Sequence, residues 1–179
     1  MMRCLCLLPA ILAISVTADF GRPAADPEEG CAHVSSVFPS MLRELRNTFD
    51  KVKDYFQMKD NNLDTILLRD DLLEDFKGQL GCHSVSEMLR FYLDEVLPKA
   101  NSQNKSIEQT VNFIGNTLFE LRHMLKRCHR FLACEKRTKT IRQIKETYSK
   151  MEDNGINKAM GEFDIFIDYI EEYLMSKKR

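Results

Sequence analysis

Residues 155–173 carry apolar side chains at the spacing of one long amphipathic helix. At about 100° per residue, eight of these side chains, together with that of the next residue, Leu174, fall within an arc of roughly 140° and form a core-facing stripe of nine. The nine are Ile156, Ala159, Met160, Phe163, Phe166, Ile167, Ile170, Tyr173 and Leu174. Ile165 and Tyr169 lie beyond the arc, next to Lys158 and Glu162, and predict a second, mixed surface. Either something else covers this surface, or the helix carries two exposed apolar side chains.

The helical period recurs along most of the chain. Apolar residues at helical spacing predict helices over 38–57, 63–76, 85–97, 107–128, 139–151 and 155–173. The first is predicted to start at Phe38, with Pro39 in its first turn, where a missing N–H costs nothing. Ser84 and Glu87 form a capping box for the third helix. No alternating pattern predicts a strand, so the sequence predicts an all-α domain of six helices.

Residues 1–18 have the pattern of a secretory signal peptide. Arg3 gives a short basic start, residues 5–16 are apolar, and Val16 and Ala18 are small residues that suit cleavage. About a dozen apolar residues are too few for a membrane-spanning helix. The sequence therefore predicts a secreted chain with one domain over 19–179, no membrane insertion, and a mobile arm over 19–30.

The charge of the secreted part gives no sign of a nucleic-acid partner. Without Arg3 the 26 basic residues become 25, against 27 acidic residues, which leaves a formal charge of −2. Nucleic-acid binding domains instead carry clustered positive charge.

Four cysteines remain after the signal peptide is removed, namely Cys31, Cys82, Cys128 and Cys134. In a secreted chain they predict two disulfides, and the residues alone leave all three pairings open. Several of them lie near histidines, which suggests zinc as an alternative. No CxxC or HxxxH spacing supports that alternative, and oxidation competes outside the cell. No metal or cofactor is therefore predicted.

Catalytic motifs are not visible in the sequence. There is no GxSxG, HExxH or glycine-rich phosphate loop. The acidic run over 70–75 fits a solvated helix side, and His123 and His129 fall on different faces of a helix. The chain is therefore predicted not to be an enzyme.

Two binding classes remain: a secreted helical signalling protein, and a disulfide-bonded helical carrier of an apolar ligand. The apolar stripes are typical of an ordinary protein core rather than of a ligand cavity, which favours the signalling protein over the carrier.

A polar tract follows Pro98 and extends to Ser106. It predicts an exposed loop, and it contains Asn104-Lys105-Ser106, an N-glycosylation sequon. Ser106 and Gln109 form a weaker capping box for the helix that follows.

Several segments together resemble the interleukin-10 family of class II helical cytokines. They are FQMKD at 56–60, LLEDFKG at 72–78, GC at 81–82, SEM at 86–88, FYLDEVLP at 91–98, RCHRFLACE at 127–135 and KAMGEFDIFIDYIEEY at 158–173. The match extends from Cys31 to the C-terminus with the cysteines in step. The resemblance implies a secreted all-α cytokine that forms an intertwined homodimer. It also implies a two-chain class II receptor, with a high-affinity chain and a shared second chain, Janus kinase and STAT signalling, and restraint of macrophage and T-cell inflammation.

Two further expectations accompany this resemblance. The family pattern implies the disulfides Cys31–Cys128 and Cys82–Cys134. The segment 128–136 joins the fourth and fifth helices with only nine residues. A hinge this short is expected to stop the last two helices from folding back on their own subunit, and it favours exchange between two chains.

The resemblance also implies that the first helix, the loop after it and the last helix bind the high-affinity receptor chain. The matching residues are Arg43, Arg46, Lys53, Gln57, Lys59, Asp60, Asp64, Lys158, Glu162 and Asp164. Each would otherwise be read as a solvated charged or polar residue on a helix face. The loop at Asn61-Asn62 and the residue Asn157 depart from the family pattern, and Gly161 costs the last helix about 1 kcal/mol relative to alanine.

Overall fold

The structure is a computed structural model that describes residues 27–78, 80–127 and 139–177. Helices account for most of these residues, and none of them lies in a strand. The α-helices are α1 Pro27–Phe49, α2 Lys53–Lys59, α3 Asp71–Lys77, α4 Gly81–Phe91, α5 Leu97–Gln103, α6 Lys105–Arg127, α7 Lys139–Lys150, α8 Asn154–Gly161 and α9 Phe163–Lys177. The predicted all-α fold class is confirmed, although several predicted helices are divided into shorter ones.

The first helix is longer and more interrupted than predicted. It begins at Pro27 rather than Phe38, so residues 27–30 of the predicted arm are helical and Pro39 lies inside the helix. Proline at the first helical position suits the observed start. After Phe49 the chain turns at 50–52 and resumes as α2. The apolar period continues across the turn because Phe49, Val52 and Phe56 are all buried.

The predicted helix over 63–76 is mostly wrong. Residues 60–70 are irregular, and only Asp71–Lys77 is helical. Leu67 and Leu68 are buried, whereas the side chain of Leu63 lies in solvent. The backbone N–H groups of Leu67 and Leu68 donate to the carboxylate of Glu162 instead of to helical carbonyls. A distant side chain thus replaces the local hydrogen bonds that a helix would need.

The third predicted helix begins earlier than its predicted capping box. Ser84 lies inside α4 and is buried, so the capping box is wrong. The helix instead starts at Gly81, where a Cβ atom would lie 2.0 Å from the carbonyl oxygen of Phe76. Glycine is therefore required where α3 and α4 approach each other.

Helical backbone also continues through much of the predicted loop around Pro98. A π-helical turn over Tyr92–Val96 joins α4 to α5, and Pro98 sits in the first turn of α5. Proline is tolerated there because that N–H needs no helical partner. The break is confined to Asn104, whose Oδ1 accepts from the Ser106 N–H at 2.9 Å. Asn104 therefore takes the capping role predicted for Ser106.

The last predicted helix is divided into α8 and α9 at Glu162, whose backbone φ of −102° and ψ of 14° leave the helical region. All nine side chains of its predicted core stripe are nevertheless buried. Tyr169 is buried too, because its hydroxyl donates to the Arg69 carbonyl at 2.7 Å and its ring packs on Phe76. Arg69 and Phe76 of the same chain thus cover Tyr169, whereas Ile165, the other apolar residue of the predicted second surface, is only partly buried.

The core forms where α9 packs against α1, α3 and α4, while α8 packs against α2. Its centre is a cluster of four aromatic rings, from Phe49, Tyr92, Phe163 and Phe166. The Tyr92 hydroxyl donates to the Ala159 carbonyl at 2.8 Å. In this single chain α7, α8 and α9 pack on the chain's own earlier helices, so the exchange of helices between two chains stays a prediction.

Some predictions concern residues outside the described ranges. The signal peptide over 1–18, much of the predicted arm, and the hinge with Cys128 and Cys134 lie there, and the side chain of Cys31 is also outside them. Cys82 takes part in a disulfide bond. Among the described residues, no helix is long and apolar enough to cross a membrane.

Candidate functional site

The residues predicted from the resemblance come from two distant parts of the sequence that the fold brings together. One part is α1, α2 and the following loop, and the other is α8 with the start of α9. Seven of the ten predicted residues make contacts at this seam. We call the seam the charged strip, formed by Arg46, Lys53, Gln57, Asp60, Lys158, Glu162 and Asp164, with Asp168 and Glu171.

One end of the charged strip is a set of half-exposed ion pairs. Arg46 contacts Asp168 at 2.8 Å and Glu171 at 2.5 Å, and Lys53 contacts Asp164 at 2.6 Å. Partial burial opposes the charge of Arg46, but hydrogen bonds to the two carboxylates outweigh it and raise its pKa. The hydrogen bond to Asp164 likewise raises the pKa of Lys53. Arg46 and Lys53 therefore keep their charge, and the ion pairs remain accessible to a partner.

The middle of the strip joins α2 to the end of α8 at Gly161. The Gln57 Nε2 group donates to the Gly161 carbonyl at 3.0 Å. A Cβ atom at residue 161 would lie 3.4 Å from Cγ of Gln57, which is ordinary van der Waals contact. The contact with α2 therefore does not require glycine at this position.

The other end of the strip is buried. Lys158 Nζ lies 2.5 Å from Asp60 and 3.8 Å from Glu162, and the three side chains are only 6%, 11% and 14% exposed. These three residues, named here the buried triad, are therefore not the solvated charges that sequence reasoning would assign without the resemblance. Burial opposes ionisation of Asp60, but hydrogen bonds from Lys158, Asn62 and Asn154 outweigh it and lower its pKa. Burial raises the pKa of Glu162 despite the hydrogen bonds from Leu68 and Leu67.

The shift at Glu162 predicts how stability depends on pH. The folded state holds the Glu162 proton more tightly than the unfolded chain, so ionisation above the ordinary pKa of 4.5 lowers the free energy of unfolding. Glu162→Gln cannot ionise. Its free energy of unfolding, measured by urea denaturation, should therefore improve relative to the natural chain as pH rises from about 4 to about 7. Glu108→Gln, at an exposed position of α6, should show no such trend, and a constant difference for Glu162→Gln would contradict the prediction.

Three predicted residues, Arg43, Lys59 and Asp64, are exposed beside the strip. Sequence reasoning also missed several neighbours. Asp168 and Glu171 follow Asp164 at i+4 and i+7, and this acidic stripe could have been matched to the basic residues of the first helix. Sequence reasoning also missed the exposed apolar side chains of Met58, Leu63 and Ile66. Leu63 and Ile66 were missed because they fitted a helical core pattern.

A surface hollow of about 260 Å³ separates the loop after α2 from α7. Its lining includes Ile66, Arg69, Glu146 and Lys150. Charged groups at the wall do not suit the apolar ligand that the carrier interpretation requires.

Comparisons with known proteins identify the family of the chain. The family model described as Interleukin 10 matches residues 1–176. Interleukin-10 of Gallus gallus is 56% identical over 157 residues, which is 88% of this chain and 90% of that protein. Interleukin-10 of Felis catus is 54% identical over 152 residues, and that of Cervus elaphus is 47% identical over 175 residues. These alignments cover 85% of both chains for the cat protein, and 98% of this chain and 96% of the deer protein.

A solved structure supports the fold independently. The crystal structure of human interleukin-19 superposes with a TM-score of 0.64 at 23% identity, covering 74% of this chain and 88% of that chain. At this identity the likeness concerns the fold alone. The family match and the curated relatives confirm the resemblance and the prediction that the chain is not an enzyme. The chain belongs to the interleukin-10 family of cytokines.

Proposed function

We propose that this immunoregulatory cytokine is secreted and binds a two-chain class II cytokine receptor. In this proposal the high-affinity chain contacts the charged strip, and a shared second chain completes the signalling complex. Janus kinases and STAT factors then carry a signal that suppresses inflammatory macrophage and T-cell responses. The observation that supports it is the charged strip itself, where residues about 110–125 positions apart in sequence form one surface.

The exposure of each predicted residue suggests which residues meet the receptor chain directly and which must first leave a partner within the cytokine. Arg43, Lys59 and Asp64 are exposed and can meet the receptor directly. Arg46, Lys53 and Asp164 are partly exposed and already paired, so they can exchange partners when the receptor arrives. Complementary charges of this kind set specificity and association rate.

Charge reversal tests this proposal. We expect Arg46→Glu to weaken binding to the soluble high-affinity receptor chain by about tenfold or more, because a desolvated charge contact at an interface contributes strongly. The cost in folding should stay near 1 kcal/mol, since the ion pairs it breaks are partly solvated. Surface plasmon resonance and urea denaturation give the two values, and STAT phosphorylation in receptor-bearing cells gives the signal.

The matched control is Arg142→Glu on α7. Arg142 also pairs with a carboxylate, Glu146 at 3.6 Å, and neither residue belongs to the strip. It should keep full binding. If Arg46→Glu also kept full binding and signalling, the charged strip would not be the receptor-binding surface.

We also propose that two chains form a homodimer by exchanging α7, α8 and α9. The contacts that these helices make within one chain are extensive and apolar. In an exchanged dimer these helices make the same contacts with the partner chain, so the packing stabilises the monomer and the dimer equally. The length of the hinge then determines which of the two forms.

The sequon at Asn104 lies at the break between α5 and α6, which is the place we propose for an N-linked glycan.

The disulfide pairing is tested by peptide mapping under non-reducing conditions. We expect one linked peptide pair to contain Cys31 and Cys128 and the other to contain Cys82 and Cys134. Closing loops of about 50 to 100 residues should stabilise the chain by roughly 4 to 5 kcal/mol each in the chain-entropy model. Linkage of Cys128 to Cys134, or free thiols in the folded protein, would contradict this pairing.

A further inference from the structure

The loop over 60–68 has few helical or strand hydrogen bonds, so its backbone donors must find other partners. Leu67 and Leu68 donate to the Glu162 carboxylate at 3.0 and 2.7 Å. At the other end of the loop, the Asn61 N–H donates to the Asn154 side chain at 3.1 Å. The Asn62 N–H donates to Asp60 at 3.0 Å. Side chains from α8 and the α8–α9 junction therefore hold both ends of the loop.

The charges of the buried triad make this arrangement possible. Lys158 neutralises Asp60 at 2.5 Å and lies 3.8 Å from Glu162. Asn154 adds a hydrogen bond to Asp60 at 3.1 Å. Without the cation, two carboxylates would share a nearly dry site, and that arrangement strongly disfavours the ionised forms. The triad is therefore a structural unit whose hydrogen bonds extend to the loop backbone.

The held loop presents apolar side chains to solvent. Leu63 is 81% exposed and Ile66 is 59% exposed, although the chain on either side of them is fixed. Apolar side chains on an ordered loop lose less conformational entropy on binding than the same side chains on a disordered one. Holding this loop thus favours association with a partner.

We infer that Asp60, Lys158 and Glu162 are positioning residues that hold the loop over 60–68 in the shape that presents Leu63 and Ile66 to the receptor chain. This inference rests on the proposed function and assigns the buried triad a role different from direct contact. The half-exposed end of the charged strip meets the receptor, and the triad acts through the loop backbone.

Amide hydrogen exchange of the free cytokine tests the positioning role without the receptor. We expect Glu162→Ala to speed exchange at the Leu67 and Leu68 amides by about tenfold or more, because both lose their acceptor. Glu162→Gln keeps an acceptor oxygen and should restore much of the protection. Glu172→Ala on α9, which removes only a solvated pair with Lys77 at 3.4 Å, is the matched control and should change neither amide.

Receptor binding completes the test. We expect the affinity for the high-affinity chain to follow the amide protection, with Glu162→Ala about tenfold weaker or more and Glu162→Gln in between. Leu63→Ala should also weaken binding while leaving the exchange of the Leu67 and Leu68 amides unchanged.

The outcomes that overturn the inference differ from those that overturn the proposed function. Unchanged amide exchange in Glu162→Ala, with or without weaker binding, would mean that Glu162 does not hold the loop. Faster exchange with full binding would mean that the receptor does not need the ordered loop. The proposed function fails instead if the natural cytokine does not bind the receptor chain, or if Arg46→Glu binds as well as the natural cytokine.

Discussion

Replacing Phe163 with alanine is expected to lower the free energy of unfolding by about 3 to 5 kcal/mol. The Phe163 ring is fully buried where α9 begins. It contacts Phe49 of α1 at 5.2 Å and Tyr92 at 5.0 Å between ring centroids. Because these neighbours belong to separate helices, and Tyr92 is fixed by its hydrogen bond to Ala159, the cavity left by alanine cannot easily close.

Urea denaturation followed by circular dichroism measures this loss, at one fixed protein concentration because association would change the apparent stability. Phe119→Ala on α6 is the matched control. Its ring is 52% exposed and makes an edge contact with His123, so its cost should stay below about 1 kcal/mol. Equal losses for the two variants would mean that α9 does not pack on α1 as described.

Inserting about six flexible residues between Glu135 and Thr138 is expected to convert the proposed dimer into a folded monomer. A longer hinge is expected to favour the arrangement of the single chain, in which α7, α8 and α9 pack on their own earlier helices. Loop-closure entropy grows slowly with length, so about six residues should add well under 1 kcal/mol. The ion pairs Lys53–Asp164 and Asp60–Lys158 already form within one chain. The monomer should therefore keep receptor binding and lose the paired engagement of two receptors.

Sedimentation at nanomolar concentration measures the mass of the variant. The same six residues appended after Arg179 provide the control, which should remain dimeric. If the hinge variant stayed wholly dimeric, or failed to fold, the short hinge would not determine the assembly. The two-fold interface would then have to arise from ordinary surface packing.

Periodicity in the sequence correctly predicted the buried faces of α6, α8 and α9. The apolar stripe of α6 is buried, and it consists of Ile107, Val111, Ile114, Leu118, Leu121 and Leu125. The nine apolar residues of the last predicted helix are buried as well. These predictions succeed because the spacing of side chains around a helix is a local property, fixed by about 3.6 residues per turn. Seven of the residues in the strip could be nominated by resemblance for a similar reason, since their identities are written in the sequence.

The tertiary structure alone determined where the helices stop and which charges are buried. The first part of the predicted helix over 63–76 is a loop because Glu162, about 95 positions away, accepts the backbone hydrogen bonds of Leu67 and Leu68. Lys158 is buried rather than solvated because Asp60 meets it across the α2–α8 contact, while Glu162 lies one helical turn further along its own segment. The local spacing of residues does not determine where a helix ends or which charge is buried. A backbone donor or a charge takes whichever partner the completed fold brings within reach, and that partner can lie anywhere in the chain.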